Sequence, residues 1–312
     1  MSITIRGLTE QDFDTAERLR RLAFGTFLGA PDPLTYRGDV ALLPARAKVF
    51  PDGGMVAEED GRMIGVAMAN HWGSLGVFGP IAIHPDYWRK GVARQLLDAT
   101  LPIFDRWRCR MTGLYTFPHS ATHVRLYQSV GFWPRYLTPI MVRPVKTPSP
   151  VANIVSLRAS GNERGALIGQ CTSLTASIFE DLDLTKEIEL ALGQPQSDAL
   201  VLTEDSQIVG LAIVHTGTGT ESGSGKAYIK FACIRSGSEA AHRFARLIDG
   251  CNDFAHREGA TEMSGGVSSA RIEAYRMMIE MGFRAAMHGV AMHRPFVEAY
   301  DRPGVFALDD WR

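Results

Sequence analysis

Cysteine is scarce in this chain: four in 312 residues, Cys109, Cys171, Cys233 and Cys251, with no CxxC and no metal-ligand spacing. That excludes a disulfide scaffold and a cysteine-based zinc site, and it fits thiols kept in a reducing compartment. Charge of either sign is not in excess, with 33 basic against 34 acidic residues and a net charge of -1. Nothing in that balance points to nucleic acid or to an anionic membrane surface. There is no basic-then-apolar leader and no apolar run of about 18 residues, so a soluble cytoplasmic protein is expected. The GxxxxGK[ST] spacing of nucleoside-triphosphate loops is missing, and so is a GxGxxG dinucleotide fingerprint.

What is present is enough apolar material, 45 %, for a large core, in a chain long enough for two domains. Three prolines crowd the eight residues from Arg143 to Pro150. Proline removes backbone donors and pushes its predecessor away from helix, so this segment reads as a linker dividing the chain into 1–145, a 146–150 connection and 151–312. The halves echo each other. Val56-Ala-Glu-Glu-Asp-Gly-Arg-Met-Ile-Gly65 is matched by Val201-Leu-Thr-Glu-Asp-Ser-Gln-Ile-Val-Gly210, each a strand, polar turn and strand. Gly131-Phe132 is matched in the same way by Gly282-Phe283. Two separate matches at nearly one offset suggest duplication.

The coarse order repeats as well. An opening strand spans Ser2 to Arg6, or Ala152 to Leu157. Helical segments cover Gln11 to Phe24, or Glu163 to Phe179. The hairpin lies over 54–71, or 199–215. A strand from Gly76 to His84, or Lys226 to Ile234, precedes a helix over Val92 to Trp107, or Glu239 to Glu258. In the first half a strand, Met111 to Phe117, and a helix, Thr122 to Val130, complete the unit, with Gly131 as its C-cap. This alternation specifies an α/β fold with a mixed central sheet flanked by helices.

The stretch richest in chemistry is Ile81-Ala82-Ile83-His84-Pro85-Asp86-Tyr87-Trp88-Arg89-Lys90-Gly91-Val92-Ala93-Arg94. A strand ends at proline, a basic loop follows, and a helix begins. The first N–H groups of a helix lack intrahelical partners and its dipole favours an anion. Gly91 and Ala93 leave the backbone bare for phosphate to approach, while Arg89, Lys90 and Arg94 add positive charge.

This segment resembles the pyrophosphate loop of the GNAT acyltransferase superfamily, [QR]xxGx[GA], with Gly91 and Ala93 at the small positions and Trp88 where glutamine or arginine is usual. A second family marker runs from Asn through Ala and Tyr to Gly-Phe; here it reads Ser120, His123, Tyr127, Gly131 and Phe132. The resemblance covers most of 1–145 and, more faintly, 152–295. It implies two GNAT-like acyl-CoA N-acyltransferase domains, each with a curved, splayed mixed sheet.

It further implies acetyl-CoA, or another acyl-CoA, as co-substrate. The pantetheine arm would run along the backbone of Ile81, Ala82 and Ile83, and the pyrophosphate would sit on Arg89, Lys90, Gly91, Val92, Ala93 and Arg94. Tyr127 would be the acid that protonates the departing thiolate. For the base, Glu58, Glu59, His71, His84, His119 or a water chain stay open. Phe24 to Arg46, with Phe27 and Tyr36, would roof the acceptor pocket.

In the second half Arg235-Ser-Gly-Ser-Glu-Ala240 has lost the loop spacing, and Met278, which cannot donate a proton, stands where Tyr127 would fall. That half reads as degenerate, and its glycine tract, Gly217 to Gly225, as a disordered loop. The expected activity is transfer of an acetyl or short acyl group from CoA to the primary amine of a small molecule. A protein amino group is the other acceptor class, and a non-catalytic acyl-CoA sensor is the alternative. No metal, nucleic-acid or membrane partner is expected, and the chain would be a monomer or homodimer.

Overall fold

The computed structural model describes residues 3–311, so Ser2, in the expected opening strand, falls outside the described residues. The first half runs β1 (Ile3–Gly7), α1 (Phe13–Phe27), α2 (Leu43–Val49), β2 (Gly54–Glu59), β3 (Arg62–Trp72), β4 (Leu75–Ile83), α3 (Val92–Arg106), β5 (Met111–Thr116), α4 (Ala121–Gln128) and β6 (Trp133–Pro144). The second runs β7 (Ile154–Ser156), α5 (Arg164–Ile178), α6 (Thr185–Leu192), β8 (Asp198–Glu204), β9 (Gln207–Gly217), β10 (Gly223–Ile234), α7 (Ala240–Arg257), β11 (Glu262–Gly266), α8 (Ile272–Glu280), β12 (Arg284–Arg294) and β13 (Ala307–Leu308).

All the strands belong to one open, mixed sheet of order β1-β2-β3-β4-β5-β12-β6-β11-β10-β9-β8-β7, with β13 paired to β10 off that path. The last strands are exchanged. β12 lies against β5 of the first half, and β6 lies against β11 of the second. The proline segment therefore divides the chain but not the sheet.

The ladders repeat register for register. β2 and β3 pair Ala57 with Gly65 and then shift; β8 and β9 pair Leu202 with Gly210 and then shift, each position 145 further on. The parallel pairs Leu75↔Met111 to Phe78↔Leu114 reappear as Lys226↔Glu262 to Ile229↔Gly265, 151 further on. Gly65 shows why such a position repeats. A Cβ there would meet Leu96 at 2.8 Å and Ile83 at 2.9 Å, and at Gly210 it would meet the corresponding Ile234 and Leu247.

Each sheet face has its own helix layer, because strand side chains alternate between faces. In the first half Val56, Val66, Met68 and Ala82 pack with Ala16, Leu19 and Ala23 of α1. On the other face Ala57, Ala67, Ala69 and Phe78 pack with Leu96, Leu97 and Phe104 of α3 and with Tyr127 of α4.

One expectation needs correction. The tract Gly217 to Gly225 is not a disordered loop: Thr220, Glu221 and Ser222 are buried, and Glu221 pairs with Arg46 at 2.5 Å. Past residue 295 the chain adds β13 and a stretch buried from Val305 to Trp311. The four thiols are free, and three of them are buried.

Candidate functional site, a gap between β4 and β5

The sheet opens where β4 bulges. Ala67 pairs with Ile81 but Ala69 pairs with Phe78, so two residues of β4, Gly79 and Pro80, stand opposite the single Met68 of β3. A bulge bends its strand. Gly79, at φ 139°, adopts a conformation that side chains disfavour, and Asn70 Nδ2 donates to the carbonyls of Val77 (3.2 Å) and Gly79 (3.0 Å). Pairing of β4 with β5 stops at Phe78↔Leu114, just before the bulge.

Beyond it, Ile81, Ala82 and Ile83 pair only with β3. The bond from His84 N–H to the Ile64 carbonyl fixes the ladder parity. It turns the N–H and C=O groups of Ile81 and Ile83 away from β3, into the gap. One of these, the Ile83 carbonyl, accepts from the Trp88 indole at 2.8 Å.

At one end of the gap stands the N-terminus of α3. Its N-cap is Gly91, at φ 81°, so no side chain caps the first turn. A Cβ on Gly91 would meet nothing within 4 Å, which leaves the approach open. Arg89, also left-handed at φ 62°, tightens the loop. Lys90 lies over the Tyr87 ring at 4.8 Å. Arg94 is partly engaged, since its Nε lies 2.9 Å from Asp98 and one of its terminal nitrogens donates to Ser129 Oγ at 3.2 Å. Val92 is buried beneath the turn, and Ala93 keeps its second position small.

On the β5 side stands Tyr127. Its ring packs edge-on to Phe78 and Phe132, and its hydroxyl shares a hydrogen bond with Thr116, the last residue of β5. Burial pushes the phenol well above its ordinary range, so it stays protonated at neutral pH. Ser120 caps α4, its Oγ accepting from the His123 N–H at 3.4 Å. Thr116 gave no sequence signal, because a threonine ending a strand has many bland explanations.

Most of the candidate bases are occupied elsewhere. Glu58 is held by Arg6 at 2.6 Å, and Glu59 accepts from Tyr87 at 2.7 Å. His84 Nε2 lies 2.8 Å from Arg62, and burial together with that guanidinium lowers its pKa. His71 pairs with Gly76 at the far end of β3 and stacks on Trp107. His119 and His123 remain at the mouth of the gap, close to Phe27 and Phe117. Burial, then His119, lowers the pKa of His123.

The second half has the corresponding gap between β10 and β11, and it is filled. β13 pairs Ala232 with Leu308 and Cys233 with Ala307, and the Ile234 N–H donates to the Phe306 carbonyl at 3.0 Å. At the ladder offset of 151, Ala232, Cys233 and Ile234 are the counterparts of Ile81, Ala82 and Ile83. The tail is anchored by Arg271 to Asp309 at 3.0 Å and by the Tyr228 hydroxyl donating to Asp310 at 2.9 Å. Met278 is buried where Tyr127 would be, and Phe283 N–H bonds its carbonyl as Phe132 N–H bonds that of Tyr127.

A buried ion cluster joins the halves next to the bulge. Arg46 on α2 contacts Asn70 and Glu187 at 2.9 Å each and Glu221 at 2.5 Å. Lys230, on β10, lies 3.7 Å from Glu221. Glu187, His215 and Glu221 bring potential metal ligands together, but Arg46 and Lys230 already balance the two carboxylates, which argues against a cation there.

Comparison with known proteins agrees with this geometry. Residues 17–132 match the acetyltransferase (GNAT) family model. No curated protein sequence matches the chain. Among solved structures, a candidate acetyltransferase from Pyrococcus horikoshii aligns over 99 % of this chain and 95 % of its own, at TM-score 0.69 and 15 % identity. A GCN5-related N-acetyltransferase from Sphaerobacter thermophilus aligns over 97 % and 96 %, at 0.60 and 16 %. A tandem GNAT protein from the clavulanic acid biosynthesis pathway aligns over 94 % and 98 %, at 0.57 and 11 %. Residues 17–132 thus match the GNAT acetyltransferase model, and the chain as a whole shares its fold with these solved structures.

Proposed function

We propose that this chain is an N-acyltransferase that moves an acetyl or other short acyl group from CoA to a primary amine, using the first-half gap alone. One observation carries the reading: an open ladder edge at Ile81 and Ile83, an uncapped helix N-terminus at Gly91 and a protonated phenol at Tyr127 border the same opening. The fit is supported at Gly91, where the bare Cα and open space suit a phosphate and a side chain would not.

In this reading Arg89 to Arg94 hold the pyrophosphate, through the N–H groups of Val92, Ala93 and Arg94 and through the side-chain charges. Ile81 to Ile83 hold the pantetheine by backbone bonds, and Trp88 must give up the Ile83 carbonyl if that group is used. A backbone N–H at the bulge would polarise the thioester carbonyl. Bound acyl-CoA supplies an activated carbonyl and a thiolate leaving group. The neutral amine attacks, the C–N bond forms, the C–S bond breaks, and the surplus ammonium proton goes to a base or water at the mouth. Tyr127 donates its proton, or a strong hydrogen bond, to the sulfur. A phenol lifted above a thiol of about 8.5 favours the hydrogen-bonded form, so Tyr127 assists departure rather than driving it.

The reading includes a tandem arrangement, 1–145 and 151–312, with the second unit degenerate. The repeated ladder offsets support the duplication, and β13 on the second gap supports the loss. The test is incubation of the purified chain with acetyl-CoA and a panel of amines, with products read by mass spectrometry and CoA release by thiol titration. Amine-dependent acetylation is expected. CoA bound without release in the presence of any amine would favour the sensor.

A further inference from the structure

The mouth of the first-half gap is lined by rings from three elements. Phe27 ends α1, Phe117 follows β5, His119 stands in the next turn, and His123 lies on α4 one turn before Tyr127. The Phe27 centroid lies 5.1 Å from Phe117, 6.2 Å from His119 and 4.7 Å from His123. These contacts carry information about the opening. α1 packs on one face of the sheet and α4 on the other. Phe27, the last residue of α1, meets His123 of α4 beside Phe117, three residues past the last β4–β5 pair at Leu114. The rings are also reachable: His119 is exposed, and Phe27, Phe117 and His123 are half-buried.

Charge at this mouth is sparse. The two segments that border it, 24–46 and 115–127, contain only two acidic residues, Asp32 and Asp39. Both are engaged: Asp32 accepts from the Leu34 N–H at 3.0 Å, and Asp39 accepts from the Ser224 N–H at 3.0 Å. A polyamine or aminosugar acceptor needs several carboxylates for its spare ammonium groups, and these segments hold only two, both already accepting hydrogen bonds. Cations for an acidic acceptor are no better placed. Arg46 is buried in the ion cluster, Arg37 is engaged, and Arg125 lies two residues past His123, on the far side of α4.

We propose that the acceptor is a primary amine on a flat, apolar body, an arylalkylamine, whose ring lies against Phe27, Phe117, His119 and His123 while its nitrogen points toward the Thr116–Tyr127 end of the gap. The inference rests on the acyltransfer reading above. Apolar walls with a few polar groups are how small-ligand sites gain affinity and orientation. Offset or tilted rings supply attraction beyond area, and a free amine is the form that reacts. The imidazoles of His119 and His123 form part of the same wall.

The test compares kcat/KM at saturating acetyl-CoA for phenethylamine, n-hexylamine, spermidine and a short peptide with a free N-terminus, using the full chain. Phenethylamine is expected to exceed hexylamine, spermidine and the peptide by at least roughly tenfold, within the range a well-shaped apolar pocket can provide. Phe27→Ala should reduce that preference mainly through KM, and Phe27→Leu, which keeps apolar bulk and guards against a folding defect, should restore only part of it. Preference for spermidine or the peptide, or an unchanged ratio in Phe27→Ala with CoA affinity intact, would overturn the proposal while the acyltransfer reading stands. If calorimetry finds no acetyl-CoA binding, or no amine releases CoA, the reading itself falls and the proposal with it.

Discussion

The two gaps in this sheet are built on the same backbone register and hold different things. Between β4 and β5 the edge at Ile81 and Ile83 is open apart from the Trp88 bond, and the phosphate-loop glycine faces space. Between β10 and β11 the edge is covered by the chain's own β13, and the phenol is replaced by a buried methionine. The ladder pairs that end each gap agree position for position. A fold therefore sets where a cofactor could lie, and a handful of residues decide whether it does.

The largest effect should come from closing the open gap. Gly91→Glu puts a side chain on a residue at φ 81° and a negative charge where phosphate would sit, so CoA binding by calorimetry should be abolished. A control change, Gly237→Glu in the second-half loop, also falls on a positive-φ residue facing open space. It should cost some stability and leave CoA affinity unchanged. Equal losses from both would erase the asymmetry.

Next comes Tyr127→Phe, which keeps the ring packed between Phe78 and Phe132. Turnover measured by CoA release should fall roughly 10²–10⁴-fold, with CoA affinity little changed. Full turnover would return the residue to a packing role.

The interface that braces the two gaps should respond to acid. Arg46 and Lys230 hold Glu221 down to about 2 against the pull of its burial, from an ordinary 4.5. A depressed carboxyl contributes stability that is complete above the unfolded value near 4.5 and is lost as pH falls toward 2. Urea midpoints measured over that window should decline for the wild type. Glu221→Gln should lower stability by about 3–5 kcal/mol at neutral pH, since it leaves buried cations short of a partner, and should flatten the acid dependence. An unchanged pH profile in the variant would remove Glu221 from the account.

The smallest effect is expected from Met278→Tyr. The added ring has to fit a fully buried site, so stability should drop by about 1–3 kcal/mol. The number of CoA sites should not rise, because a restored phenol supplies neither a phosphate loop nor an empty gap. A second site by calorimetry would show that one residue had been the barrier.

Much of this was legible in the sequence where interactions are local. The hairpin around Gly65 and Gly210 and the Tyr127-to-Phe132 spacing depend on neighbours a few residues away, and the strands and helices built on them were expected within a few residues of their observed limits. Long-range choices were not legible. The exchange of β6 and β12 depends on which sheet edge each strand meets, and both edges offer equivalent backbone groups. The glycine tract looked disordered because glycine and serine cannot build a core, yet Glu221 within it is fixed by Arg46 from the other half. β13 is two residues long and is ordered by β10 and the buried tail around it, with no periodicity of its own to detect. At the site, Tyr127 was marked by the resemblance to the family pattern that ends in Gly-Phe, whereas Thr116 and the ring contacts of Phe27 come from residues far apart in the chain.

The most direct test is hydrogen–deuterium exchange of the full chain with and without CoA, resolved to short peptides. The account predicts slowed exchange at Ile81 to Ile83 and at Gly91 to Arg94, with no change from Ala232 to Ala240. Equal protection of both stretches, or protection confined to the second, would contradict a single cofactor gap in the first half.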